Sequence, residues 1–207
     1  MVKSLNIIAR ILSGIFSPLL MGTYAMILAL WISYLNYTPM VAKLTVLSVT
    51  LIATCVIPVI TIFVLWKAGI IKDPRLNTGR ERLIPYMVAT AGFIAVCVYT
   101  RIVNAPLWLT MFYAGATLAL IIDTMLTGKW KISGHATGMG GLCAILFYMM
   151  ISAISVYPIT VEFLCAVLAA GLVCTSRLIL ERHDIWQILA GFANGFICTL
   201  VPTLLFT

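Results

Sequence analysis

The sequence predicts an all-α, polytopic transmembrane helical bundle of six to seven spans, and three observations carry that prediction. The 207 residues are 63% hydrophobic and 9% charged, with a mean hydropathy of +1.13, outside the range of soluble domains. The apolar residues come in blocks of roughly 20, the length that crosses about 30 Å of hydrocarbon. The basic residues gather in alternate connections, as loops do when they alternate between two membrane faces. Backbone facing lipid must satisfy its own polar groups, so blocks of this length are helices.

Seven candidate spans follow one another, at roughly 14–36, 41–68, 84–103, 105–127, 135–154, 157–178 and 184–206. Pro18, Pro39, Pro106 and Pro158 stand near span starts, where a missing N–H costs least. The connections around 103–106 and 155–158 are short and read as tight helical hairpins. The lead-in M-V-K-S-L-N-I-I-A-R places basic residues ahead of an apolar run. No small-x-small cleavage site closes that run, so it reads as a first span or an interfacial helix. With no internal repeat and no second domain, residues 1–207 read as a single integral membrane domain. The six cysteines lie inside apolar runs without metal or disulfide spacing and read as small buried hydrophobes.

The polar residues are unevenly shared. Of the thirteen basic residues, seven spans place eleven on the face that holds the N-terminus and connections 2–3, 4–5 and 6–7. Lys43 and Arg101 fall on the other face. Both histidines, His135 and His183, lie on the rich face, as does the long polar stretch K-D-P-R-L-N-T-G-R-E-R at 72–82. The positive-inside rule turns this face toward the cytoplasm, and the expected location is a bacterial inner membrane. A net charge of +7 in such a chain points to anionic membrane lipid, at about 1 kcal/mol per exposed basic residue, and not to nucleic acid. Three loops converging on an anion site account for the same asymmetry and also for the histidines.

Three stretches carry the chemistry: Arg75 and Arg82 in the long loop, K-I-S-G-H-A-T-G at 131–138, and S-R-L-I-L-E-R-H-D-I-W-Q at 176–187. Together they resemble the type 2 phosphatidic acid phosphatase family, whose active site is shared with vanadium haloperoxidases. The family pattern is K-x6-R-P, then P-S-G-H, then S-R-x5-H-x3-D. Ser176, Arg177 and His183 match the third element, and Gln187 stands where its aspartate would be. Ser133, Gly134 and His135 match the second, with Ile132 in place of proline. Arg75 and Arg82 keep the spacing of the first, with arginine for lysine and Leu83 after the second arginine; Lys72 with Arg80 is an alternative pairing.

The resemblance implies a metal-independent lipid phosphate phosphohydrolase without a cofactor. In it His183 is the nucleophile that becomes phosphohistidine and His135 is the general acid. Arg177, Arg82 and Arg75 hold the phosphate with Lys131 nearby. The physics agrees with that assignment. Phosphoryl transfer is mainly positioning plus stabilisation of negative charge on equatorial oxygens, and guanidinium groups grip phosphate bidentately. Ser133 and Gly134 begin a span, so backbone N–H groups and the positive helix end point at one place.

Gln187, at i+4 from His183, reaches back one turn and can fix the ring tautomer without supplying a full charge. Asp184 is turned about 100° away. Asp123, a carboxylate at membrane depth, needs a partner: it pairs with an arginine, orients a histidine, or is purely structural. Gly138, Gly141, Gly191 and Gly195 read as close helix contacts, Gly134 as contact and phosphate site together, and Trp130 and Trp186 as interfacial anchors. The expected substrate is a lipid phosphate or diphosphate of isoprenoid, phosphatidate or lipid A type. The alternative is a non-catalytic lipid-phosphate binding or transport protein with a degenerate site. Nothing in the sequence sets an oligomeric state.

Overall fold

The structure, a computed structural model, describes residues 2–72 and 79–206. Among them lie eight α-helices: α1 (Val2–Ile15), α2 (Pro18–Ile32), α3 (Met40–Lys67), α4 (Gly79–Ile102), α5 (Leu107–Leu126), α6 (Gly134–Ile151), α7 (Thr160–Ile179) and α8 (Ile185–Leu205). Six of these, α3 to α8, are long and apolar enough to span a membrane; α1 and α2 form a bent pair that makes up to seven. The protein is an integral membrane helical bundle.

The first span departs from the sequence reading. The apolar run at 14–36 is not one helix, because Ser17 precedes a proline and sits extended at φ −61°, ψ 137°, as pre-proline residues do. The chain bends there by 56° between α1 and α2. After α2 a 3₁₀ turn, Tyr34–Tyr37, leads to α3. Pro106 caps the start of α5 and Pro39 that of α3, as expected. Helix α4 starts at Gly79, not at 84, with Pro85 inside it; this carries Arg82 out of the loop and onto the helix. Within α3, Pro58 removes one N–H donor, and the preceding turn Ile52–Val56 widens to a π-turn, a common adjustment to an interrupted ladder.

Helix α6 is the central element: 67% of its span is buried, against 22% for α3 and α7. It makes the largest helix–helix contact, with α8. Glycine permits the closeness. A Cβ on Gly195 would run into the Thr137 carbonyl, one on Gly140 into the Phe192 carbonyl, and one on Gly191 would lie 2.7 Å from the Ser133 oxygen. Small residues take this role between membrane helices because they let backbones approach. Gly141, by contrast, faces ordinary contacts at 3.6 Å and beyond, so close packing does not require it. At the opposite end of the bundle, Lys43 is buried and donates to the Asn36 carbonyl and to Asn36 Oδ1 at 2.6 and 2.9 Å. Its ammonium also lies 5.3 Å from the Trp31 ring centre, so this lysine has a structural explanation.

Candidate active site

The starts of α4, α6 and α8 and the ends of α5 and α7 meet at one end of the bundle. Arg82 comes from the first turns of α4 and Asp123 from the last turn of α5. Ser133 and His135 lie at the start of α6, Arg177 at the end of α7, and His183 just before α8. Every sequence-derived candidate with a described side chain lies at or near one of these termini, Gln187 in the first turn of α8 and Lys131 in the connection just before α6. Arg75 lies outside the described residues.

His183 is buried. Its Nδ1 lies 3.0 Å from the Lys131 carbonyl oxygen and 3.1 Å from Gln187 Oε1. A carbonyl oxygen accepts and never donates, so Nδ1 carries the proton and a neutral ring keeps its lone pair on Nε2. Burial pushes the His183 imidazole down to about 4; the Lys131 bond opposes this, and the charges of Arg82 and Arg177 reinforce it. The Lys131 ammonium is likewise lowered by its burial and by Arg82, Arg182 and Arg177.

Gln187 is fixed at three points. Its side chain meets His183, its N–H donates to Asp184 Oδ1 at 2.9 Å, and its carbonyl accepts from the Ser133 N–H at 3.2 Å. Asp184 is thereby the N-cap of α8, which explains an aspartate beside the histidine that does not orient it. The Ser133–Gln187 bond also locks the second motif to the third.

His135 places Nε2 3.1 Å from the carbonyl of Ser13, on α1. Arg177 Nη1 donates to Ser13 Oγ at 3.3 Å, while its buried Nε has no hydrogen-bond partner. Ser133 Oγ, at the N-cap of α6, is buried and equally unpaired. These are polar groups that the oxygens of an anion can satisfy, beside first-turn amides of α6 that have no intrahelical acceptor. Tyr86 stands four residues after Arg82 and is hydrogen-bonded to it. Its hydroxyl lies 2.8 Å from where a Gly134 Cβ would be, so a side chain at 134 would push the hydroxyl back from the helix start.

Asp123 is fully buried. Its Oδ1 accepts from Asn194 Nδ2 at 2.9 Å and its Oδ2 has no hydrogen-bond partner. It makes no hydrogen bond to either histidine.

Two cavities meet at this cluster. One, about 300 Å³, runs into the bundle between apolar walls that include Met21, Phe93, Phe112 and Leu142. The other, about 700 Å³, is polar and is lined by Arg10, Ser13 and Arg182. Arg82, His135 and Arg177 line both, and His183 and Asp123 line the apolar one.

Both histidines and Arg177 fall within 122–207. Residues 122–207 form a PAP2 superfamily domain. No curated protein and no solved structure matches the chain. The PAP2 match covers Asp123, Lys131, Ser133, Gly134, His135, Arg177, His183 and Gln187, while Arg82 and Tyr86 reach the PAP2 domain from α4, outside it. The superfamily implies a phosphatase acting on phosphate esters. Two residues of the cluster have no sequence motif to announce them: Ser13 meets His135 through its main chain, and Tyr86 is marked by its i+4 spacing from Arg82 alone.

Proposed function

We propose that the protein hydrolyses the phosphate or diphosphate of a membrane lipid through a phosphohistidine on His183, with residues 1–207 acting as one domain. The observation that carries this reading is the tautomer of His183: its Nδ1–H is committed to Lys131 and Gln187, which leaves Nε2 as the nucleophile. It sits where an apolar cavity meets a polar one. An amphiphile fits that junction, with its phosphate among the arginines and its hydrocarbon toward the apolar side.

In the first step the Nε2 lone pair of His183 bonds to phosphorus as the bond from phosphorus to the lipid oxygen breaks. Protonated His135 delivers its proton to the leaving oxygen, releasing the lipid alcohol, or the lipid monophosphate where a diphosphate is cleaved. Arg177 and Arg82 hold the equatorial oxygens with Ser133 Oγ and the α6 amides; Lys131 adds positive charge. In the second step His135 takes a proton from water, the hydroxide attacks phosphorus, and the N–P bond breaks to give inorganic phosphate. Asp123 stands beside this apparatus and its negative charge balances part of the guanidinium cluster.

The test is release of inorganic phosphate from liposomes carrying phosphatidate, a prenyl diphosphate, phosphatidylglycerol phosphate or a lipid A-type phosphate. We expect turnover of at least one, inhibition by orthovanadate, and loss of turnover in His183→Ala. Binding of these lipids without phosphate release would overturn the enzyme reading and leave a lipid-phosphate binding protein.

A further inference from the structure

Helix α1 lies outside the PAP2 domain, yet its last turn ends inside the site. The last carbonyls of a helix have no intrahelical donor and must find one elsewhere. In α1 the Leu12 carbonyl accepts from Phe16 N–H at 2.9 Å and the Ile15 carbonyl from the Tyr24 hydroxyl at 2.9 Å. The Ser13 carbonyl takes its hydrogen bond from His135 Nε2, and the Ser13 hydroxyl takes one from Arg177. One residue therefore touches both the second histidine and the phosphate-binding arginine. Around it, α1 contributes Arg10 to the polar cavity and presents Ile8, Ile11 and Ile15 outward.

We infer that Ser13 is a positioning residue, which holds His135 as the Nε2–H tautomer and makes Nδ1 the nitrogen that exchanges a proton with the leaving oxygen. The two histidines are then held in opposite tautomers: His183 reacts through Nε2 and His135 through Nδ1. A carbonyl at a helix C-terminus carries partial negative charge, so it favours the imidazolium that a general acid must become before it donates. It serves His135 as an orienting acceptor, the role Lys131 and Gln187 fill at His183. This inference rests on His135 being the acid of the proposed reaction.

The test moves the Ser13 carbonyl and leaves its side chain in place. A Cβ added at Gly14 would stand in open space, so Gly14→Ala keeps the helix. Gly14→Pro pushes residue 13 out of helical backbone geometry and so swings its carbonyl away. Imidazole ¹⁵N shifts of the full-length protein in detergent should show His135 protonated at Nε2 in the wild type and in Gly14→Ala, and a tautomer mixture in Gly14→Pro.

Turnover gives the second reading. An alkyl phosphate needs a proton on its leaving oxygen, whereas p-nitrophenyl phosphate does not. Gly14→Pro should lose about tenfold or more in kcat on the alkyl phosphate and about threefold or less on the nitrophenyl ester, given what general acids contribute. Ser13→Ala should raise KM by about two- to fivefold, as loss of one hydrogen bond does, and Ser13→Thr should restore it. Equal losses on both esters, or a His135 unprotonated at Nε2 in the wild type, would overturn the inference. If the wild type released phosphate from neither ester, the proposed function would fail, and the ¹⁵N shifts would still decide the tautomer.

Discussion

The His183 ring donates its Nδ1 proton to the main-chain carbonyl of Lys131 at 3.0 Å, and the Gln187 side chain shares that proton at 3.1 Å. In the sequence, Gln187 stands where the family's aspartate would be, and Asp123 is the other candidate to orient a histidine. The structure supplies a second acceptor that no side-chain substitution removes. Gln187→Ala should therefore lower kcat by about three- to tenfold, the worth of one neutral hydrogen bond, and should not abolish turnover. Gln187→Asp should keep or raise kcat by stabilising the imidazolium in passing. Steady-state kinetics on the best lipid phosphate decide it. A loss in Gln187→Ala as deep as in His183→Ala would show that the Lys131 carbonyl does not hold the ring.

Burial, reinforced by Arg82 and Arg177 against the Lys131 and Gln187 bonds, pushes His183 down to about 4. The ring is then neutral throughout the ordinary working range, as the proposed nucleophile must be. Between its ordinary value of 6.5 and about 4 the unfolded chain binds the proton that the folded chain refuses, so stability falls as pH drops through that window. Protonation can be followed by diethyl pyrocarbonate, which reacts with neutral imidazole. In His135→Gln, which removes the other histidine of the chain, carbethoxylation should keep its rate down to about pH 5.5 and halve near about pH 4. An inflection near 6.5 would mean that the ring is neither buried nor near the guanidiniums.

The parts of the site that are legible in sequence are those whose spacing and helix ends act together. Arg177 and His183 flank the turn between α7 and α8, and Ser133 to His135 open α6, so motif and structure coincide. Ser13 is not legible, because its principal contact is a carbonyl, which leaves no mark on residue identity. The break at Ser17 is partly legible: Pro18 signals it, but the apolar run continues through it and reads as one span. Arg82 reads as a loop residue because the polar stretch 72–82 resembles a loop; the helix in fact begins at Gly79. Tyr86 lies in an apolar run, and its tie to Arg82 emerges once both stand on one helical face.

The fit of α6 against α8 is what brings Ser133 and His135 beside His183, and it depends on glycine. A methyl at Gly195 would overlap the Thr137 carbonyl, backbone that cannot swing aside. Gly195→Ala should cost about 1–3 kcal/mol of stability by overpacking and should also reduce turnover, since the Ser133–Gln187 bond cannot survive separation of the helices. Gly171, where an added Cβ meets nothing within 4 Å, is the control: Gly171→Ala should leave both unchanged. Thermal unfolding in detergent, run beside activity, separates the two. Equal melting temperatures for the two variants would show that the α6–α8 contact is looser than these distances.

The apolar cavity sets the last expectation. It reaches from the arginines into the bundle, and its volume of about 300 Å³ is small beside that of a two-chain lipid. One hydrocarbon chain, or part of one, can enter it, and each methylene buried there is worth about 0.8 kcal/mol. Affinity should therefore rise with chain length for single-chain alkyl phosphates and level off once the cavity is full. Gly141 lines the cavity and has ordinary contacts around an added Cβ, so Gly141→Ala should fit and occupy volume open to the chain. KM for a dodecyl phosphate should rise by about fourfold in that variant, while KM for a butyl phosphate should change by about twofold or less, given the same methylene increment. A KM independent of chain length in the wild type, with turnover intact, would place the hydrocarbon outside the bundle, in the surrounding lipid.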